Sequence, residues 1–233
     1  MTFKALSIAI LMLLAPTFAL AKAPAKAKAK AKSAKAASAK SKSETPEVTQ
    51  ALAGYRAAKG VQAKVKKTVV QEAMGTEMTS TGIFYFNKGK MRLEMREPES
   101  TVLVYDGKNI WFESRADEEH VLVNKLNAKE FKRSDSLLAA LFDRDDVLKN
   151  FKFTGDSADV SKKTFHFEAK DRKKSDVLTL EIALKDKDIQ RISYKDQIDN
   201  RVTLEFSDVE KGKVPADKFS YKPPKGAEVT EIK

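Results

Sequence analysis

The chain has 233 residues, 33% charged and 42% apolar, with no cysteine and a formal net charge of +11. That length fits one domain or two, and the lack of cysteine excludes disulfides, thiolate metal sites and a cysteine nucleophile. Of the 44 Lys and Arg, one falls in residues 1–21 and eight in 22–46, so the rest of the chain carries 35, against 32 Asp and Glu once Glu44 is set aside. A nearly balanced body with a basic tail argues against a nucleic-acid partner, because such folds carry their positive charge on their own surface.

Residues 1–21 read as a secretory signal peptide. Lys4 supplies the positive start, residues 5–14 are apolar apart from Ser7, and Ala19-Leu20-Ala21 fits the small-x-small cleavage rule. The alternative is an uncleaved anchor, although the run is short for a membrane span. No cysteine follows for lipid attachment, so a soluble exported product is expected, as in a bacterial periplasm. Residues 22–46 are Ala, Lys and Ser with two Pro, and hold no apolar side chain large enough to build a core. They read as a solvated tether, with weak attraction to an anionic membrane surface as the functional alternative.

Residues 47–233 read as the folded domain. Val48, Leu52 and Tyr55 share a helical face over 46–59, and Gly60 offers a stop. Period two then takes over. Strands are predicted over 61–72, 82–86, 90–97, 101–105, 109–113 and 121–123, with hairpin signals at Asn87-Lys88-Gly89 and Asp106-Gly107. Residues 134–142 break the pattern: Ser134-Asp135-Ser136 offers a cap, and Leu137, Leu138, Leu141 and Phe142 form an apolar helical face. Residues 145–151 suit a further short helix. Strands resume over 160–169, 177–185, 189–196, 201–209 and 219–222. Alternation puts Phe84 with Phe86, Met91 with Leu93, Phe165 with Phe167, Leu178 with Leu180, and Leu204 with Phe206 on shared faces, giving a sheet with one dry and one wet side. A sheet of ten or eleven strands curls rather than staying flat, and only the few helices are available to cover its dry face. The expected fold is mainly β: a single-domain curved antiparallel sheet, or unclosed β-barrel, with a short helical lid over an apolar cavity.

No phosphate-cradling glycine loop, metal-binding histidine spacing or serine elbow appears in the sequence. His120 and His166 lie far apart, and alternation points His166 to the polar side between Phe165 and Phe167. The acidic pairs Glu118-Glu119 and Asp145-Asp146 read as surface charge. An enzyme is not expected, nor are a cofactor or a metal.

Four stretches carry a resemblance. They are Gly82-Ile-Phe-Tyr-Phe-Asn-Lys-Gly-Lys-Met-Arg-Leu-Glu-Met-Arg-Glu-Pro98, Leu103-Val-Tyr-Asp-Gly-Lys-Asn-Ile-Trp-Phe112, Gln197-Ile-Asp-Asn-Arg-Val-Thr-Leu-Glu-Phe206 and Phe219-Ser-Tyr-Lys-Pro-Pro-Lys-Gly-Ala-Glu-Val229. In this order and spacing the chain resembles the family of outer-membrane lipoprotein carrier proteins (LolA). The resemblance implies an unclosed β-barrel with a helical lid, and a periplasmic chaperone. Such a protein takes acylated lipoproteins from an inner-membrane lipoprotein-releasing ABC transporter and passes them to an outer-membrane acceptor lipoprotein. A monomer is expected. A binder or sensor of another envelope lipid or glycolipid, or a scaffold with a solid interior, remain open on the same fold.

Physical chemistry says what such a carrier needs: apolar surface comparable to a bilayer interior, hidden when empty. The candidates for lining an acyl-chain cavity are Phe84, Phe86, Met91, Leu93, Leu103, Trp111, Phe165, Phe167, Leu178, Leu180, Leu204 and Phe206. For the lid they are Leu52, Tyr55, Leu137, Leu138 and Leu141. Ordinary core packing is the alternative for each. The family often carries an Arg-Pro pair, associated with latching the lid, where this chain has Asn87-Lys88-Gly89. Lys88 stands at the position, and a lysine has no planar fork. Lys88 or Arg92 is therefore the expected latch.

Overall fold

The first helix begins where proline permits it. Pro46 sits in the first turn of α1 (Pro46–Ala57), where a missing N–H costs nothing, and the Thr49 N–H closes that turn on the Thr45 carbonyl at 3.1 Å. The computed structural model describes residues 45–96, 100–115, 120–127 and 137–232. The expected signal peptide and most of the tether, the Ser134-Asp135-Ser136 cap and the Glu118-Glu119 pair lie outside the described residues.

After α1 the chain runs as an antiparallel meander: β1 (Val61–Gln71), β2 (Thr76–Asn87), β3 (Lys90–Met95), β4 (Ser100–Tyr105), β5 (Asn109–Arg115) and β6 (Val121–Asn127). A short helix, α2 (Leu137–Asp143), and a 3₁₀ turn, Val147–Asn150, carry it to the far edge. It returns through β7 (Phe151–Ala158), β8 (Lys163–Ala169), β9 (Val177–Lys185), β10 (Asp188–Asp196) and β11 (Asn200–Lys211), and β11 closes on β1. Finally β12 (Glu228–Ile232) lies parallel to β6. The result is one 12-stranded sheet in the order β12-β6-β5-β4-β3-β2-β1-β11-β10-β9-β8-β7. Its two edges, β12 and β7, do not pair, so the sheet is unclosed and both helices cap it from one side.

The hairpin signals have clear physical causes. Lys88 and Gly89 both take positive φ, 46° and 76°, as a two-residue hairpin loop of the primed type requires. At the second turn the loop residues are Gly107 and Lys108. Asp106 anchors it by accepting the N–H bonds of Lys108 at 2.8 Å and Asn109 at 2.7 Å. Burial pushes the Asp106 carboxyl up, but those two bonds and the Trp111 and Asn109 side chains outweigh it and hold it below the usual range.

Several expectations are corrected. Residues 219–222 are not a strand: a 3₁₀ turn, Ala216–Phe219, is followed by irregular chain, and the last strand is β12. The expected helix over 145–151 shrinks to the 3₁₀ turn, and Phe151 already opens β7, a strand that alternation did not predict. Val160 is fully exposed in the β7–β8 turn rather than in a strand. The outer face is not uniformly wet. Over β2–β5 it is covered by the segment after β11, where Val214 and Phe219 pack on Tyr85 and Ile83 in a second, smaller core.

Candidate functional site

The inner face of the sheet is built by alternation. Phe84 and Phe86 on β2, Met91, Leu93 and Met95 on β3, and Leu103 on β4 point to one side. So do Phe165 and Phe167 on β8, Leu180 and Ile182 on β9, and Leu204 and Phe206 on β11. All are buried within one apolar cluster, and the register aligns them in rows: Phe86 pairs with Met91, Phe84 with Leu93, and Leu93 with Leu103. Val48, Ala51, Leu52 and Tyr55 of α1, and six consecutive residues of α2, Leu137 to Phe142, join the same cluster from above.

Phe142 stands at the centre of this contact. Its ring lies 5.0 Å from Phe84, 5.6 Å from Phe86 and 5.3 Å from Tyr55, centroid to centroid, with tilted planes. Such pairs are worth about 0.5–1.5 kcal/mol each beyond the area they bury. With Phe142 and Leu141 both fully buried, α2 fills the concavity of the sheet. The sequence marks Phe142 as part of the helical face, yet it is not among the lid residues expected above. Only the structure shows that its ring reaches the floor.

The polar contacts that hold α2 down are not those expected. Lys88 is exposed at the tip of the β2–β3 turn, and Arg92 lies on the outer face, paired with Glu94 and donating to the Lys218 carbonyl at 3.4 Å. Arg92 thus reaches the 3₁₀ turn Ala216–Phe219 on the outer face rather than α1 or α2. The reason is geometric: the turn offers α2 space rather than charge. A Cβ on Gly89 would stand 2.3 Å from Asp143 Oδ1, so the end of α2 rests directly on that glycine. Tyr105 donates to Asp143 Oδ2 at 3.2 Å beside it. The cationic clamp comes from α1. Arg56 donates to the carbonyls of Leu141 (3.0 Å), Phe142 (3.2 Å) and Arg144 (2.6 Å), the last turn of α2 and the residue after it. Those carbonyls have no partner within a helix that stops there. Burial lowers the Arg56 pKa, an effect Asp145 and Asp143 partly offset. A guanidinium nevertheless remains charged in any physiological solvent. The sequence holds a faint signal for this: Arg56 lies four residues after Leu52 and eight after Val48, on the edge of the buried stripe.

Two further lining candidates are misplaced. Trp111 lies on the outer face. Its indole N–H donates to Asp106 at 3.1 Å, its ring packs 5.4 Å from Tyr221, and the Lys125 ammonium lies 5.3 Å from the ring centroid. Beside it Glu113, only 3% exposed, accepts from Tyr221 and Arg115, pinning the segment after β11 to the sheet. Leu178 sits at an irregularity where β9 has two residues for one step of β10. Val177 takes the inward place, and Leu178 is only partly buried.

Ser157, His166 and Glu181 line up across β7, β8 and β9. Ser157 Oγ is 3.1 Å from His166 Nε2, and Glu181 Oε1 is 3.4 Å from His166 Nδ1. This order resembles a hydrolytic triad, but it lies on the open outer face, with His166 and Glu181 each about a third exposed. Nothing there supplies the desolvated, preorganised donors that an acyl-transfer intermediate needs. Among the described residues, no group of three or more His, Asp or Glu is placed to hold a metal ion, and no helix is long and apolar enough to cross a membrane.

A family model described as outer membrane lipoprotein carrier protein LolA matches residues 56–222. An outer-membrane lipoprotein carrier protein of Nitrosospira multiformis is 27% identical over 174 residues, covering 74% of this chain and 82% of that protein. Among solved structures, a LolA superfamily protein from Nitrosomonas europaea is 11% identical with a TM-score of 0.43, covering 75% of this chain and 96% of that one. An outer membrane lipoprotein-sorting protein domain from Vibrio parahaemolyticus, described as putative, is 10% identical with a TM-score of 0.40, covering 74% and 94%.

Proposed function

This chain belongs to the LolA family of outer-membrane lipoprotein carrier proteins, periplasmic and non-catalytic, and from that premise we propose that it shields the acyl chains of lipoproteins by exchanging them for α2. The observation that carries this reading is the plug. Six consecutive apolar residues of a seven-residue helix fill the concavity of an unclosed sheet, and polar contacts at one end of that helix hold it. A methylene transferred from water to an apolar surface gains about 0.8 kcal/mol. Two acyl chains entering as α2 withdraws replace apolar contact with apolar contact, so the net change is small in either direction. A carrier must both load and release, and near-balance serves both. The cargo is then a lipoprotein's acylated N-terminus. It is received from a transporter at the inner membrane and given to an acceptor at the outer membrane. Phe84, Phe86, Met91, Leu93 and Leu103 contact the chains from one half of the sheet, and Phe165, Phe167, Leu180, Leu204 and Phe206 from the other.

Native mass spectrometry of the protein expressed with its own cell envelope tests this reading. A co-purifying acylated polypeptide is expected. Only free phospholipid or glycolipid would contradict the lipoprotein assignment in favour of a lipid binder. Phe142→Ala sharpens the test. Truncating a buried phenylalanine costs about 3–5 kcal/mol of stability, yet if Phe142 is a plug the variant takes up a diacylated peptide more readily than the parent. Lower uptake in step with lower stability would make it plain core.

A further inference from the structure

A cleft on the flank of the α2 plug opens at the corner between α2, the 3₁₀ turn after it and the β8–β9 turn. Its volume is about 400 Å³, within the usual range for small-ligand sites. Leu137, Ala140, Val147, Phe151 and Val177 line it, and all five also belong to the main apolar cluster. Arg144, Lys149, Lys170 and Lys174 line it too, from three different segments of the chain. A single carboxylate, Asp171, is among the lining residues. It lies 3.6 Å from Lys174, and Asp146, beside the cleft, pairs with Arg144 at 2.8 Å. Four cations therefore face two acids over a greasy base. Such a site is mismatched to a neutral acyl chain and to a free inorganic anion alike. The apolar base has nothing to offer the anion, and the cations have nothing to offer the chain.

We infer that this cleft is a second lipid site that takes an anionic phospholipid, with its chain on the Ala140–Val147–Val177 base and its phosphate among the lysines. Chain and headgroup each satisfy one half of the lining, and the charge-assisted bonds of ammonium to phosphate are the stronger kind. The cleft shares α2 with the plug, since Leu137 and Ala140 line it, and Arg144 just after the helix, whose carbonyl accepts from Arg56, lines it too. A membrane lipid bound here thus engages the same helix end that the Arg56 clamp holds. The carrier touches an anionic bilayer at the point where its plug must move. This inference rests on the carrier reading for its purpose but not for its chemistry.

The test uses the full mature chain and a short-chain phosphatidylglycerol kept below its micelle concentration, so that any Lys-rich tail cannot act through a vesicle surface. Methyl NMR reports the location. Shifts of the Ala140, Val147 and Val177 methyls are expected on titration. The matching phosphatidylcholine should bind about tenfold more weakly, and the triple variant Lys149→Gln, Lys170→Gln, Lys174→Gln should lose a similar factor with the rest of its spectrum unchanged. Inorganic phosphate should leave those methyls unmoved. Equal response to the choline lipid, the same shifts with phosphate alone, or no shift at those methyls would each overturn the inference. The same samples titrated with a diacylated cysteinyl peptide keep the two claims apart. Peptide uptake without a phosphatidylglycerol response defeats only the second site, and the converse defeats only the carrier reading.

Discussion

Arg56 carries more of the cap than any single apolar contact suggests, because its three bonds fall on carbonyls at and just past the end of α2, where the helix itself offers them no N–H partner. Arg56→Ala should cost about 1–3 kcal/mol and speed hydrogen exchange of the α2 amides. Arg56→Lys should restore only part, since one compact ammonium cannot reach carbonyls that a planar fork spans. Exchange in α2 unchanged by either variant would contradict the clamp. Tyr105 gives a pH signature on the same contact. Burial first, then the charge of and hydrogen bond to Asp143, push its hydroxyl up to about 12. A raised pKa means that the native state holds its proton after the unfolded chain has lost it. The contribution is therefore complete below about pH 10 and fades as pH climbs to about 12. Tyr105→Phe should flatten that part of a stability–pH curve, and an identical slope would show that the folded state does not hold the Tyr105 proton to higher pH. Ser157, His166 and Glu181 should give no ester hydrolysis above background, and Ser157→Ala should change neither folding nor cargo binding.

At the scale of elements, two glycines make opposite predictions. Gly82 sits in β2 so close to β3 that a Cβ would lie 1.9 Å from the Glu94 carbonyl oxygen, whereas Gly54 on α1 has open space around it. Gly82→Ala should destabilise by about 1–3 kcal/mol, and Gly54→Ala should stabilise by roughly 0.5–1 kcal/mol. Chemical denaturation of the two checks both, and matched effects would contradict the register of β2 on β3. The same elements show what was legible in the sequence. Strict alternation gave the inward set from Phe84 to Phe206, and the two hairpins announced themselves through glycine and aspartate at positions that need unusual backbone angles. Leu178 was misplaced because a bulge moves a residue out of phase and leaves no mark in a pattern of apolar letters. Trp111 lies opposite Ile110 and Phe112 in the alternation, on a face that is also partly apolar; what makes that outer face apolar, the cover from Val214 to Tyr221, comes from about a hundred residues away, beyond the reach of any pattern within the strand. Arg56 was missed for the same reason: its partners lie 85 to 88 residues on.

On the scale of the whole molecule, the inner face of the sheet and its cap form one apolar cluster among the described residues, and the sequence of 22–46, mostly Ala, Lys and Ser, offers no large apolar side chain. Deleting residues 22–42 should leave the melting temperature within a degree or two, consistent with small effects for changes outside the core. A large fall would mean that the segment packs on the domain. Carriage requires α2 to yield its place to hydrocarbon. The most direct measurement is photocrosslinking with a diacylated cysteinyl peptide whose reactive group sits near the end of an acyl chain. Adducts are expected on Phe84, Phe86 and Met91, the floor beneath Phe142, with α2 amides exchanging faster in the complex than in the free protein. Adducts confined to the outer face around Val104 and Trp111, with α2 as protected as before, would contradict it.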